Sequence, residues 1–235
     1  MALADADVAL TEEVFVKCLL KECSKERLEY KINALEATSK ILRALDLDYF
    51  QQLYDMLHVF IERKEAEGVD PDEQQETISL DLQLAVVQCL GQAWPETPET
   101  QNASVIKLLN TLDTMMQNTT RKLHLAIIIT IGQIISSYNL TKALDATVFD
   151  KIGSTLAFAL SIPKNSQLRT EALKVIDQAL DILDKADHDI IESFQQLMGK
   201  SLEDVIKDLA TDAALKDKAR TVRQRLTQLG KMECD

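Results

Sequence analysis

The sequence predicts an all-α protein, a right-handed α-solenoid of about five antiparallel helix pairs. Three observations carry that expectation. The first is composition: among 235 residues there are only 6 Gly and 4 Pro, and aromatics make up 5%. Leu, Ala, Lys, Glu and Gln dominate, which is helix-forming stock poor in strand formers. The second is an apolar phrase written twice, LAVVQCLGQAW over 84–94 and LAIIITIGQII over 125–135, with Gly-Gln in the same column. The third is a recurring alanine in that frame. Ala34, Ala85, Ala126, Ala172 and Ala219 follow one another at 51, 41, 46 and 47 residues.

A period of about 40–47 residues is that of HEAT and armadillo repeats, in which each unit buries its apolar face against its neighbours. The helix pairs are therefore expected to be HEAT-like. Where stacked backbones approach closely only a small side chain fits, which explains an alanine column. Gly91 and Gly132 fit the same close approach, since a helical Gly costs roughly 1 kcal/mol against Ala and some packing gain should offset it. Lys31, Arg169 and Lys216 stand three positions before their alanines, where Leu82 and Leu123 stand in the other two frames.

The first pair, residues 11–45, opens with a helix over 11–22 capped by Thr11 and continues from Ser24 into the YKINALEA helix around Ala34. In the second, 46–95, a helix over 47–64 places Tyr49, Leu53, Met56, Leu57 and Phe60 on one face, the helical repeat of an amphipathic segment. The helix around Ala85 follows a break and ends at Trp94-Pro95, as the residue before a proline disfavours helix.

The third pair, 102–138, begins at the cap Asn102 with a helix over 103–117. Its second helix, around Ala126, is apolar nearly all round, from Leu123 to Ile135, as expected of a helix buried on several sides. The β-branched run AIIITI also suits a strand, but the matching AVVQCL carries Gln88, which sits poorly in a buried strand. In the fourth pair, 145–183, a helix over 146–160 starts from Asp145 and ends at Ile162-Pro163. Ser166 then caps the LRTEALKV helix.

The fifth pair, 187–230, has a helix over 188–208 and a last helix whose Leu215, Ala219, Val222, Leu226 and Leu229 fall within about 80° of arc at the helical 100° per residue. Lys216, Lys218, Arg220, Arg223 and Arg225 cover its flanks. One apolar stripe and a wet outer face describe a capping repeat. The five pairs are expected to form one domain over 1–235.

Charge excludes some functions. The net charge is −12, and residues 1–100 hold 21 acidic and 9 basic side chains. That argues against nucleic acid, whose binding comes largely from cations that displace counterions, and against an anionic membrane surface. No apolar run approaches the roughly 18 residues of a membrane span, and MALADADVALTEE lacks the basic and apolar regions of a secretory signal. The cysteines, at 18, 23, 89 and 234, have neither CxxC spacing nor a nearby His pair, and fit a reducing compartment. Cys89 belongs to an apolar stripe. Asn102, Asn118 and Asn139 begin N-x-[ST] triplets, read as chance matches or helix caps.

Phosphate loops, HExxH and GxSxG are all missing from the sequence. His58 and His124 sit on separate helices and read as packed helix residues. In DKADHD, Asp184, Asp187 and Asp189 surround His188, without the Gly and terminal Glu of a calcium loop. No catalytic, cofactor or metal-binding residue is therefore expected. Two places remain for protein contacts. One is the basic flank Lys218, Arg220, Arg223 and Arg225. The other is the acidic stretch ERKEAEGVDPDEQQET, 62–77, with Asp72 and Glu73 beside Pro71. Both also read as solvated surface.

ERLEYKINALEATSKIL, DLQLAVVQCLGQAWP and LRTEALKVIDQALDIL resemble the C-terminal HEAT repeats of the proteasome-associated HEAT-repeat family of adaptor and scaffold proteins, over roughly residues 12–230. The family's members are far longer, so the resemblance implies a C-terminal segment of a longer protein. It further implies a cytoplasmic or nuclear scaffold without catalytic activity that binds proteasome subunits. The repeats alone leave other readings open. One is a HEAT scaffold for nuclear transport or a phosphatase. Another is a helical enzyme using Asp184, Asp187, His188 and Asp189.

Overall fold

The computed structural model describes residues 14, 17, 18, 21, 28–41, 54, 55, 57, 58, 80–91, 98–118, 121–137, 146–184 and 186–229. Helices account for nearly all of them, and no strand occurs among the described residues. The eight helices with defined bounds are α1 (Leu28–Ile41), α2 (Leu80–Gly91), α3 (Pro98–Asn118), α4 (Arg121–Ser137), α5 (Ala146–Ser161), α6 (Ser166–Leu183), α7 (His188–Lys207) and α8 (Ala213–Leu229). The run AIIITI lies in α4 and is helical, with Ala126, Ile127, Ile128 and Ile131 buried and Ile129 exposed.

The chain divides into two compact units, Met1–Glu96 and Thr97–Asp235. In the first, α1 packs on α2. Ala34 and Leu35 of α1 are buried, as are Leu82, Val86, Val87, Cys89 and Leu90 of α2. Tyr54 and His58, one helical turn apart, are both buried with ring centroids 5.6 Å apart.

In the second unit α3, α5 and α7 pack on one another in succession, and so do α4, α6 and α8. Four residues separate α5 from α6, and five separate α7 from α8. Connections this short fold each second helix back along its partner. Within this unit the architecture is therefore three helix pairs stacked in register. The core runs through Leu108, Leu112, Phe149, Leu156, Phe194 and Met198 of the first helices, and Ile128, Leu173, Ile176, Val222 and Leu226 of the second. Phe149 and Phe194 meet edge to face, centroids 6.3 Å apart at 80°, the geometry an aromatic quadrupole favours.

Polar bonds record the same register. Thr155 donates to Asp113 at 3.1 Å, 42 residues away, and Ser193 donates to Asp150 at 2.6 Å, 43 residues away. Each joins a helix to its equivalent one repeat earlier.

The alanine column holds in four of five frames: Ala34, Ala126, Ala172 and Ala219 are buried. Ala85 is only half-buried. On α2 the buried arc is rotated toward Leu82, Val86, Val87 and Leu90, and Ala85 lies just beyond its edge. Gly132 does serve a close approach: a Cβ there would stand 2.9 Å from Val175 Cγ2 on α6.

Two expected caps are corrected. Ser166 is the first residue of α6, and the cap is Asn165, whose side chain accepts from the Leu168 amide at 3.2 Å. Asn102 lies inside α3, which starts at Pro98, because proline suits a first helical turn where no amide partner is needed. Ile162-Pro163 does end α5, at Ser161. Thr11, Ser24, Asp145 and Trp94-Pro95 lie outside the described residues.

Candidate protein-docking surface

The most constrained polar cluster of the second unit gathers at the turn between α7 and α8. Arg169, three positions before Ala172, is 6% exposed. Its Nε donates to the Leu160 carbonyl at 2.9 Å, and its Nη1 to Asp208 Oδ2 at 2.7 Å and Thr211 Oγ1 at 2.8 Å. Thr211 in turn donates to Asp208 Oδ2 at 3.1 Å, and the Ala210 amide to Asp208 Oδ1 at 2.9 Å. The guanidinium, the Ala210 amide and the Thr211 hydroxyl hold the Asp208 carboxyl down at about 2. One buried cation thus fastens the end of α5 to the turn of the next repeat. The first frame's Lys31 and the last frame's Lys216 occupy the same column but are half-buried. Clasped in this way, the turn carries Leu209 at its apex, 96% exposed.

The basic flank of α8 is largely engaged within the chain. Arg225 Nη1 pairs with Asp177, and its Nη2 reaches Asp181 Oδ1 at 2.6 Å, both on α6. These carboxylates, Asp181 foremost, raise the Arg225 pKa further. Arg223 lies 3.6 Å from Glu203 of α7, which also accepts Lys207 at 2.6 Å. The two cations, Lys207 first, lower the Glu203 pKa. Arg220 pairs with Asp217 on its own helix, and Lys218 reaches the Thr170 carbonyl at 3.5 Å. Arg225 and Lys218 therefore stitch α8 to the preceding repeat. Asp72 and Glu73 lie outside the described residues.

The acidic cluster forms no centre. Asp184, Asp187, His188 and Asp189 are all exposed at the turn into α7. Among the described residues no group of three or more His, Cys, Asp or Glu side chains is placed to hold a metal ion. A shallow groove of about 490 Å³ lies between α5 and α7, lined by Asp150, Lys151, Ser154, Ser193, Gln196 and Leu197. It contains two serines, a lysine and a carboxylate, and neither histidine nor cysteine is in its lining. His58 and His124 are buried in their helices, as expected of packed residues. Cys89 is buried and Cys18 exposed, and neither is in a disulfide. Among the described residues no helix is long and apolar enough to cross a membrane.

Sequence reasoning missed Leu209 and the clasp beneath it. The available signal was slight: a lone leucine in KDLATD, directly after the apolar stripe of α7 ends at Val205.

Comparison with known proteins agrees with this geometry. The family model described as ECM29, C-terminal ARM-like repeats, matches residues 5–232. The proteasome adapter and scaffold protein ECM29 from Homo sapiens is 27% identical over 190 residues, covering 75% of this chain and 10% of that protein. The chain thus spans about a tenth of the length of this relative. No solved structure matches. With a repeat model covering nearly its whole length and stacked helix pairs to account for the match, the chain belongs to the family of ECM29 C-terminal ARM-like repeats.

Proposed function

We propose that this chain is a non-catalytic scaffold segment that binds other proteins along its stacked helix pairs, and that its partner is the proteasome. The observation that carries the reading is the in-register stack of the second unit, where successive repeats are joined by bonds at about the repeat spacing. Such a stack devotes its interior to packing, and its surface is ordered and extensive rather than concave around one reacting centre. The relative's description as a proteasome adapter and scaffold supports the choice of partner. Proteasomes occupy the cytoplasm and nucleus, and the chain is placed there with them.

Co-sedimentation tests this directly. The full 235-residue chain is mixed with purified 26S proteasomes and centrifuged through a density gradient. Migration of the chain with the particle supports the reading. A chain that stays at the top of the gradient, with or without nucleotide, contradicts it.

A further inference from the structure

We infer that one edge of the second unit, the edge formed by its within-pair turns, docks an apolar pocket rimmed by carboxylates on the partner, with Leu209 as the anchor. The inference deepens the function proposed above and rests on it for the partner, the proteasome.

The stack defines the edge. Because α3, α5 and α7 are equivalent helices, their C-terminal ends lie together, beside the N-terminal ends of α4, α6 and α8. Arg169 demonstrates the adjacency, since it touches both the end of α5 and the α7–α8 turn. Along this edge stand Arg121 and Lys122 at the start of α4, Lys164 in the α5–α6 turn, and Lys207 and Leu209 at the end of α7. All five are exposed. Lys207 pairs with Glu203, whereas Arg121, Lys122 and Lys164 form no ion pair with the described residues. Asp208 is balanced by Arg169, whereas Glu203, Asp204 and Asp212, which accepts the Leu215 amide at 2.8 Å, keep their charge on this edge. With these three acids set against Arg121, Lys122, Lys164 and Lys207, the edge is cationic by one charge. The opposite edge carries Asp184, Asp187 and Asp189.

Two details separate this edge from ordinary solvated surface. Scattered exposed apolar residues are normal, but Leu209 is an extreme case. Elsewhere in the second unit the most exposed large apolar side chain among the described residues is Ile129, at 36%. A fully exposed leucine adds nothing to folding, yet here it is mounted on a turn held by a buried arginine. A preorganised apolar side chain loses little entropy on binding, which is the property of an anchor. The second detail is Lys164, a non-glycine residue with φ 56°. The left-handed region is unfavourable for a side-chain-bearing residue, and glycine is the usual occupant of such a helix end. Here the chain places a lysine. Arg121, Lys122 and Lys164, which form no ion pair with the described residues and stand on the same edge as Leu209, complement a pocket whose rim is acidic.

Binding of the full chain to purified 26S proteasomes is measured by biolayer interferometry at about 50 and about 200 mM salt, a range over which screening grows. Leu209→Ser is expected to weaken binding about tenfold or more, as loss of an interface anchor does, without lowering the melting temperature. Lys122→Glu with Lys164→Glu is expected to weaken binding and flatten its salt dependence. Lys151→Glu, toward the opposite end of α5, is expected to stay within about twofold of wild type. If wild type binds and the edge variants bind as well as it does, the edge is wrong while the proteasome reading stands. Equal loss in Lys151→Glu reduces the effect to net charge and overturns the edge too. If wild type does not bind, both readings fall.

Discussion

Replacing a glycine by alanine in three helices of the second unit should give three different results, set by what the new methyl group meets. In an exposed helix interior the change gains roughly 1 kcal/mol, because alanine restricts the unfolded chain and favours helix. Gly199 in α7 has nothing within 4 Å of the Cβ position, so Gly199→Ala should stabilise by about 0.5–1 kcal/mol. At Gly132 the Cβ would stand 2.9 Å from Val175 Cγ2 and 3.2 Å from Gln178 Oε1, against an ordinary carbon contact of about 3.5–4.0 Å. Val175 cannot swing aside. It is 1% exposed and β-branched, with one strongly preferred rotamer in a helix. Helix α6 would have to move, and Arg169 and Arg225 hold it to its neighbours. Overpacking of this kind costs about 1–3 kcal/mol, which cancels or exceeds the propensity gain. Gly132→Ala should therefore be less stable than Gly199→Ala by about 1–3 kcal/mol. Gly153 is intermediate: its Cβ would lie 3.0 Å from Leu197 Cδ1, the end of a half-buried side chain that can turn, so Gly153→Ala should be nearly neutral. Urea denaturation followed by far-ultraviolet circular dichroism measures all three. Equal stabilisation by Gly132→Ala and Gly199→Ala would refute the close approach of α4 to α6.

Three further outcomes are expected. Ala126→Leu should destabilise by about 1–3 kcal/mol in the same denaturation assay, since Ala126 is 4% exposed within a filled interior. Arg223→Glu should change stability by less than about 0.5 kcal/mol, because its pair with Glu203 is long and exposed. Asp208→Asn should destabilise near neutral pH. Asp208 has a folded value of about 2, below an unfolded value of about 3.9, so its contribution is complete above about 4 and is lost as the pH falls through about 2. Thermal melts of wild type and variant should therefore differ at pH 6 and converge toward pH 2; a constant gap would show that the carboxylate charge is not what Arg169 holds.

The repeats could be read from sequence because they rest on local physics. An apolar stripe at helical period and a recurring small residue follow from how one helix packs on its equivalent, and Ala126, Ala172 and Ala219 lie where that reasoning puts them. Ala85 departs because a modest rotation of a helix about its axis moves a position across the edge of the buried arc without disturbing the pattern. Caps were harder. Asn165 and Ser166 are both good capping residues, and only the observed bond to the Leu168 amide separates them. The basic flank of α8 looked open in sequence because the carboxylates that engage Arg225 lie 44 and 48 residues earlier, on α6. Arg169 stood out only as one of three basic residues in a column. Its burial depends on Asp208 and Thr211 in the next repeat, which one-dimensional spacing does not link to it. Leu209 carried no periodic signal at all, since its meaning comes from a turn built by other residues.

Cross-linking mass spectrometry of the chain bound to purified 26S proteasomes probes the scaffold reading most directly. Links from Lys122, Lys164 and Lys207 to proteasome subunits are expected, in preference to links from Lys151 or Lys174. An absence of any link between the chain and the proteasome, under conditions where links within the chain form readily, would contradict it.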